Sequence, residues 1–214
     1  QYMKGLFEDA MTNEVFAWNP ASNNQALVAG KLSYILNSIS AYRTMQRVNP
    51  SVAEDVFFAP ALKGPTAGVA AQHVMYNWLV PKHAENPEAA QEFLLHYTAN
   101  FARATWESEL YDFPAFEKLS PQLGGWLDDD PFGSKPSGKL AVLKDALDWT
   151  TNVGHRGYAN CAIGEVFGTF ILPNMYARAA RGRATPQEAA ARAQAQIEPI
   201  FAKWRARGLI GGGA

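Results

Sequence analysis

The chain has 214 residues, 48% of them apolar, with 12 Phe, 8 Tyr and 6 Trp; this is enough to fill one large domain or two small ones, and it excludes disordered and fibrous classes. Lys and Arg number 19 against 20 Asp and Glu, and the resulting charge of −1 gives no net field to draw in nucleic acid or an anionic membrane, so a partner must be recognised locally. The lone cysteine, Cys161, excludes an intramolecular disulfide and a thiolate zinc module.

No stretch approaches the ~18 apolar residues of a membrane span. The opening Gln1-Tyr2-Met3-Lys4-Gly5 lacks a charged segment followed by an apolar one, so no targeting signal is read there; a mature product, or a piece of something longer, is expected.

In chain order, a helix is predicted over 7–11. Ser22-Asn23-Asn24-Gln25 reads as a capping box opening a short helix that Gly30 stops. Strands are predicted over 32–36, over 56–59 ahead of Pro60, and over 73–80 ahead of Pro81. Asn86-Pro87-Glu88 marks a second helix start, followed by Ala90, Phe93, Leu94 and Tyr97 at helical spacing. From 106 to 136 the chain reads as a long loop with four prolines, Gly124-Gly125, Gly133 and the acidic run Asp128-Asp129-Asp130. Helices follow over 138–149 and over 165–181, the latter with a kink expected at Pro173. The last helix has the clearest start: Thr185 as N-cap, Pro186 at the first position and Glu188 at the third. Gly208 should end it, and Pro199 should kink or break it. The early helices and strands alternate as in an α/β chain, and helices fill the later part.

The Asp128–Asp130 run lacks the alternation and distal glutamate of a calcium loop, so a solvated turn is expected. His155, with Asp148, Glu165 and Cys161 near it in sequence, leaves open a small hydrolase in which these groups act as acid, base or nucleophile. No local signature surrounds Cys161, and a packed thiol is the simpler reading. Gly154, Gly157 and Gly164 bracket a loop that can cradle an anion at a helix start, without the spacing of a phosphate-binding loop. From Arg178 onward seven basic residues stand against Glu188 and Glu198; a solvated helix face is the simpler reading, and an interaction module binding an acidic partner stays open. The aromatic content, with amides and hydroxyls nearby, suits carbohydrate.

Four stretches in order resemble the C-terminal half of the family 1 extracellular solute-binding proteins of ABC importers, the group containing maltose-binding protein. They are the helix of 24–29 with Gly30-Lys31 and the aliphatic 32–36; Phe58-Ala59-Pro60-Ala61-Leu62-Lys63-Gly64-Pro65; Val80-Pro81-Lys82 with Asn86-Pro87-Glu88-Ala89-Ala90-Gln91-Glu92-Phe93-Leu94; and Gly182-Arg183-Ala184-Thr185-Pro186-Gln187-Glu188-Ala189. The resemblance implies the C-terminal portion of a two-lobed, helix-rich, periplasmic-binding-protein type II fold that closes on its solute by hinge bending. It assigns 1–63 to the C-terminal lobe, 64–125 to a crossover and excursion into the other lobe, and 126–214 to C-terminal helices packed on the C-terminal lobe. It also implies a sugar as solute in an interlobe cleft, ABC permease subunits as partners, no nucleic acid, no cofactor, no catalysis, and a periplasmic or extracellular place with membrane association through a part not in this chain. Carried over position by position, the ligand residues would be Asn37, Ser38, Ser40 and Tyr42, then Gln72 and His73, then Tyr158, Asn160, Glu165 and Phe167.

Overall fold

The computed structural model describes residues 1–68, 71–72 and 75–211, with the backbone alone at 71–72. Among these residues the chain is helix-rich, with eleven α-helices and a single two-residue ladder. The helices are α1 (Tyr2–Ala10), α2 (Ser22–Val28), α3 (Ser40–Val48), α4 (Pro50–Glu54), α5 (Pro87–Ala99), α6 (Phe101–Glu107), α7 (Leu123–Asp128), α8 (Ala146–Trp149), α9 (Cys161–Gly168), α10 (Ile171–Ala180) and α11 (Pro186–Ala206). The ladder pairs β1 (Ala71–Gln72) in parallel with β2 (Thr150–Thr151). Three 3-10 segments, Asn13–Ala17, Glu117–Leu119 and Ser137–Asp145, complete the regular structure. No described helix is long and apolar enough to cross a membrane.

The chain divides into two compact units, 21–151 and 1–20 with 152–214. In the larger unit Ile39, Leu110, Leu127 and Leu140 form one buried cluster, and Tyr42, Met45 and Ala53 form another, with Phe58 packed against both. Each fully buried leucine contributes roughly 1.5–3 kcal/mol. α3 presents Tyr42 and Met45 to this core, about one turn apart on a single face, and Ala41 is buried beside them. In the smaller unit α10 packs on α11 and α1, and α9 on α11. The buried side chains there are Ala162, Val166, Ile171, Ala189 and Ala193, and the small residues on α11 let α10 approach closely.

Local signals account for the helix starts that formed as expected. Thr185 Oγ1 accepts the Glu188 N–H at 3.2 Å while Glu188 returns a carboxylate to the Thr185 N–H at 2.8 Å; Pro186 has no N–H, so two of the three orphan donors at the start of α11 are satisfied. Pro87 opens α5 at its first turn, where a missing N–H costs nothing. Gly30, at φ +70°, ends α2 in a conformation that side-chain-bearing residues rarely adopt.

Elsewhere the structure departs from expectation. The 22–25 capping box does not form: α2 begins one residue early, with Ala21 at its N-cap and no side-chain cap bond. Segments 32–36, 56–59 and 75–80 carry no ladder, because a strand needs a neighbour and the described chain supplies none beside them; residues 73 and 74 lie outside the described residues. The expected loop of 106–136 contains the end of α6, a 3-10 turn and α7. The helix expected over 138–149 is mostly 3-10, ending in the four-residue α8. The helix expected over 165–181 is two helices, α9 and α10, broken at Phe170 with φ +56°. Pro173 falls in the first turn of α10, where it breaks no hydrogen bond. α11 runs past Pro199 to Ala206, so that proline does not end the helix.

Candidate functional site

The expected ligand residues fall into one group in each unit. In the larger unit, α2 and α3 pack together and bring the Asn24 and Ser40 side chains into contact. Asn24 Nδ2 donates to Ser40 Oγ at 2.9 Å, and Asn37 Nδ2 donates to Asn24 Oδ1. The Ser38 N–H donates to Asn37 Oδ1 at 2.7 Å, and the Ser38 and Ser40 hydroxyls lie 3.4 Å apart. Asn37 and Ser38 are exposed. The result is a solvent-facing edge of neutral donors and acceptors in which no charged side chain takes part.

Beneath it the structure is buried and charged. Tyr42, expected at the ligand surface, is 2% exposed, and its hydroxyl donates to Ser134 Oγ at 2.9 Å. Its side chain thus belongs to the core, edge-on to Phe58. Ser134 in turn donates to Asp130, whose carboxylate takes a two-pronged contact from Arg43 at 2.7 and 3.0 Å. Arg43 also donates from Nε to the Glu109 carbonyl at 3.0 Å and from Nη1 to Gln46 Oε1 at 2.9 Å, so the buried guanidinium is well supplied with acceptors. Burial pushes the Asp130 carboxyl up, but the hydrogen bonds from Arg43, Ser134 and the Phe132 N–H, with the Arg43 charge, outweigh it and hold the group below its ordinary 3.8. The acidic run is solvated only in part: Asp128 and Asp129 are exposed, Asp128 pairing with Lys144 at 2.7 Å, while Asp130 is in the core. A second buried cation, Lys139, donates to the Ala53 and Glu54 carbonyls at 3.0 and 2.8 Å, and burial draws its ammonium down despite Glu54 and Asp55 nearby.

Sequence reading missed this assembly. Its one local signal is Arg43 and Gln46 lying a turn apart beside Tyr42 and Met45 on α3, polar groups on a face that is otherwise apolar. The carboxylate that completes it lies 87 positions away.

In the smaller unit, Asn160 caps α9, its Oδ1 accepting the Ile163 N–H at 3.0 Å while its amide donates to the Tyr158 carbonyl at 3.1 Å. The chain enters this cap through Gly154, whose φ of +95° strains any side chain and where a Cβ would come within 3.1 Å of the Ile163 side chain. Tyr158 is 92% exposed, and Phe167 projects from α9 into solvent. Glu165 accepts hydrogen bonds from Lys203 and, at 2.7 Å, from the Trp204 indole. These bonds, Lys203's first, hold its carboxyl below the usual range despite some desolvation. Glu165 thereby ties α9 to α11.

His155 and Cys161 belong to this unit and are exposed, whereas Asp148 belongs to the other. Among the described residues no hydrogen bond links His155 to Cys161 or Glu165, and no group of three or more His, Cys, Asp or Glu is spaced to hold a metal ion. For Gln72 the backbone alone is described, in β1, and His73 lies outside the described residues. No protein-family model matches the chain, and no curated protein matches it.

Proposed function

We propose that this chain is the solute-recognising C-terminal portion of an ABC importer's binding protein, of the periplasmic-binding-protein type II kind, that takes a neutral carbohydrate and delivers it to a membrane permease from the periplasmic or extracellular side. The observation that carries this reading is the edge formed by Asn24, Asn37, Ser38 and Ser40. Amides and hydroxyls both donate and accept, which suits the alternating demands of sugar hydroxyls. An ionised group there would favour a charged solute instead. The edge stands on α3, which is held by the Arg43–Asp130 clasp, and a site supported by a packed core loses little entropy on binding. The ordered motifs of the importer family add support, since two of them coincide with the helix starts of α5 and α11.

Thermal unfolding of the chain with mono- and oligosaccharides, polyols and amino acids tests this reading, because a ligand that binds the folded state raises the midpoint. The expected result is a concentration-dependent rise with one sugar class that Asn37→Ala removes. A panel flat for every sugar, or a rise that Asn37→Ala leaves intact, overturns it. The reading has no covalent step, so Cys161→Ala is expected to bind the sugar as the parent does.

A further inference from the structure

The face between α10 and α11 in the smaller unit holds a cavity of about 290 Å³. Arg178, Arg181, Arg183 and Arg192 line it, and no Asp or Glu does. Among the described residues none of these four arginines has a carboxylate within ion-pair distance. The Arg178 Nε–H is buried without an acceptor, an uncommon and costly state for a charged donor. Arg181 sits over Phe16, its guanidinium carbon 3.9 Å from the ring centroid, a contact that does not use its N–H donors.

The plain alternative is that arginines at the end of α10 serve its carbonyl dipole. Yet the Arg178 carbonyl is taken by the Arg183 N–H at 3.0 Å, and that of Ala177 by the Arg181 N–H at 3.1 Å. The backbone closes this helix end by itself, so the guanidinium groups are left over.

We infer that this cavity is an anion site for the phosphoryl group of a small organic phosphate, held by the forks of Arg178 and Arg192 with Arg181 and Arg183 beside them. Guanidinium forks match phosphate oxygens two at a time. A phosphomonoester brings about −1.5 to −2 charge at neutral pH, which answers four uncompensated cations better than a single carboxylate. Ile171, Ala189 and Ala193 give the cavity an apolar wall for the carbon part of such a molecule. The volume is near the lower end of small-molecule sites, roughly 300 Å³. This site is distinct from the 37–42 edge and does not depend on the sugar-binding reading.

Calorimetric titration of the full chain with inorganic phosphate, glycerol 3-phosphate and citrate, at constant ionic strength set with chloride, tests the inference. Saturable binding of glycerol 3-phosphate, tighter than citrate, is expected. Arg192→Gln, on the exposed side of α11, is expected to weaken it about tenfold or more, the effect of one lost charged hydrogen bond. Arg192→Lys keeps the charge and loses the fork, and is expected to weaken it as well. Arg103→Ala, in the other unit, should leave it unchanged. Absence of heat with every anion overturns the site; citrate binding as tightly as the phosphate ester overturns the phosphoryl assignment. An equal loss in Arg103→Ala and Arg192→Gln would mean diffuse attraction to the surface, and also overturns it.

Discussion

Two helices of the larger unit show how differently apolar residues can be used. α3 spans nine residues and buries four, because Phe58, Ala53 and the 127–140 segment close over its face. α5 spans thirteen residues and buries none. Its Tyr97 meets other rings instead, lying 6.3 Å from Phe93 on the same helix, 5.5 Å from Trp78 ahead of it and 5.5 Å from Phe101 at the start of α6, ring centroid to ring centroid. Phe93 remains 59% exposed and Leu79 85%. The patterning separates them: α3 is the more polar helix but gathers its apolar residues on one face, which distant chain covers, whereas α5 is richer in apolar residues and spreads them around its circumference. The first helix is held by tertiary contacts, and the second by its own backbone and a few stacked rings.

Substitutions can test that contrast. The largest effect is expected at the clasp under α3, where Asp130→Asn leaves the Arg43 charge buried without its partner and should cost about 3–5 kcal/mol in urea unfolding. The same residue sets an acid limit. Its folded-state pKa lies below the ordinary 3.8, so its stabilisation is complete above that value and is lost as the pH falls through the lower, folded-state pKa. Acid unfolding of Asp130→Asn should therefore be flatter than that of the parent below about pH 4; identical slopes would mean that the carboxylate is not held low. Next comes Leu127→Ala, at a side chain 1% exposed, with an expected loss of about 2–5 kcal/mol.

Across the comparison, Trp78→Ala removes one edge-on aromatic contact on the α5 side and should cost about 0.5–1.5 kcal/mol. Should it prove as damaging as Leu127→Ala, the aromatic face is closed in solution and the contrast fails. The smallest effect belongs to Leu79→Ser, a side chain almost wholly in solvent, expected within about 0.5 kcal/mol of the parent.

The candidate site was legible in part. Asn37, Ser38 and Ser40 were expected together and do share one hydrogen-bonded edge with Asn24. Tyr42 was expected beside them at the surface, yet helical geometry turns it inward with Met45, where its hydroxyl meets Ser134. Glu165 was expected to face a ligand and instead accepts from Lys203 and Trp204, partners 38 and 39 positions away that no local pattern announces. The basic tail was read as a solvated surface. Folding gathers four of its arginines around one cavity, because α10 and α11 turn back on each other at Gly182.

What the sequence determined by itself is the set of features decided within one turn of backbone: the Thr185–Glu188 capping box, the proline-led start of α5, and the left-handed stop at Gly30. Each rests on contacts between residues a few positions apart, so the local sequence contains every participant. Tertiary structure alone decided that 32–36 and 56–59 carry no ladder and that Asp130 is buried against Arg43. Strand pairing and charge burial need a partner from far along the chain, and whether one arrives depends on the whole fold.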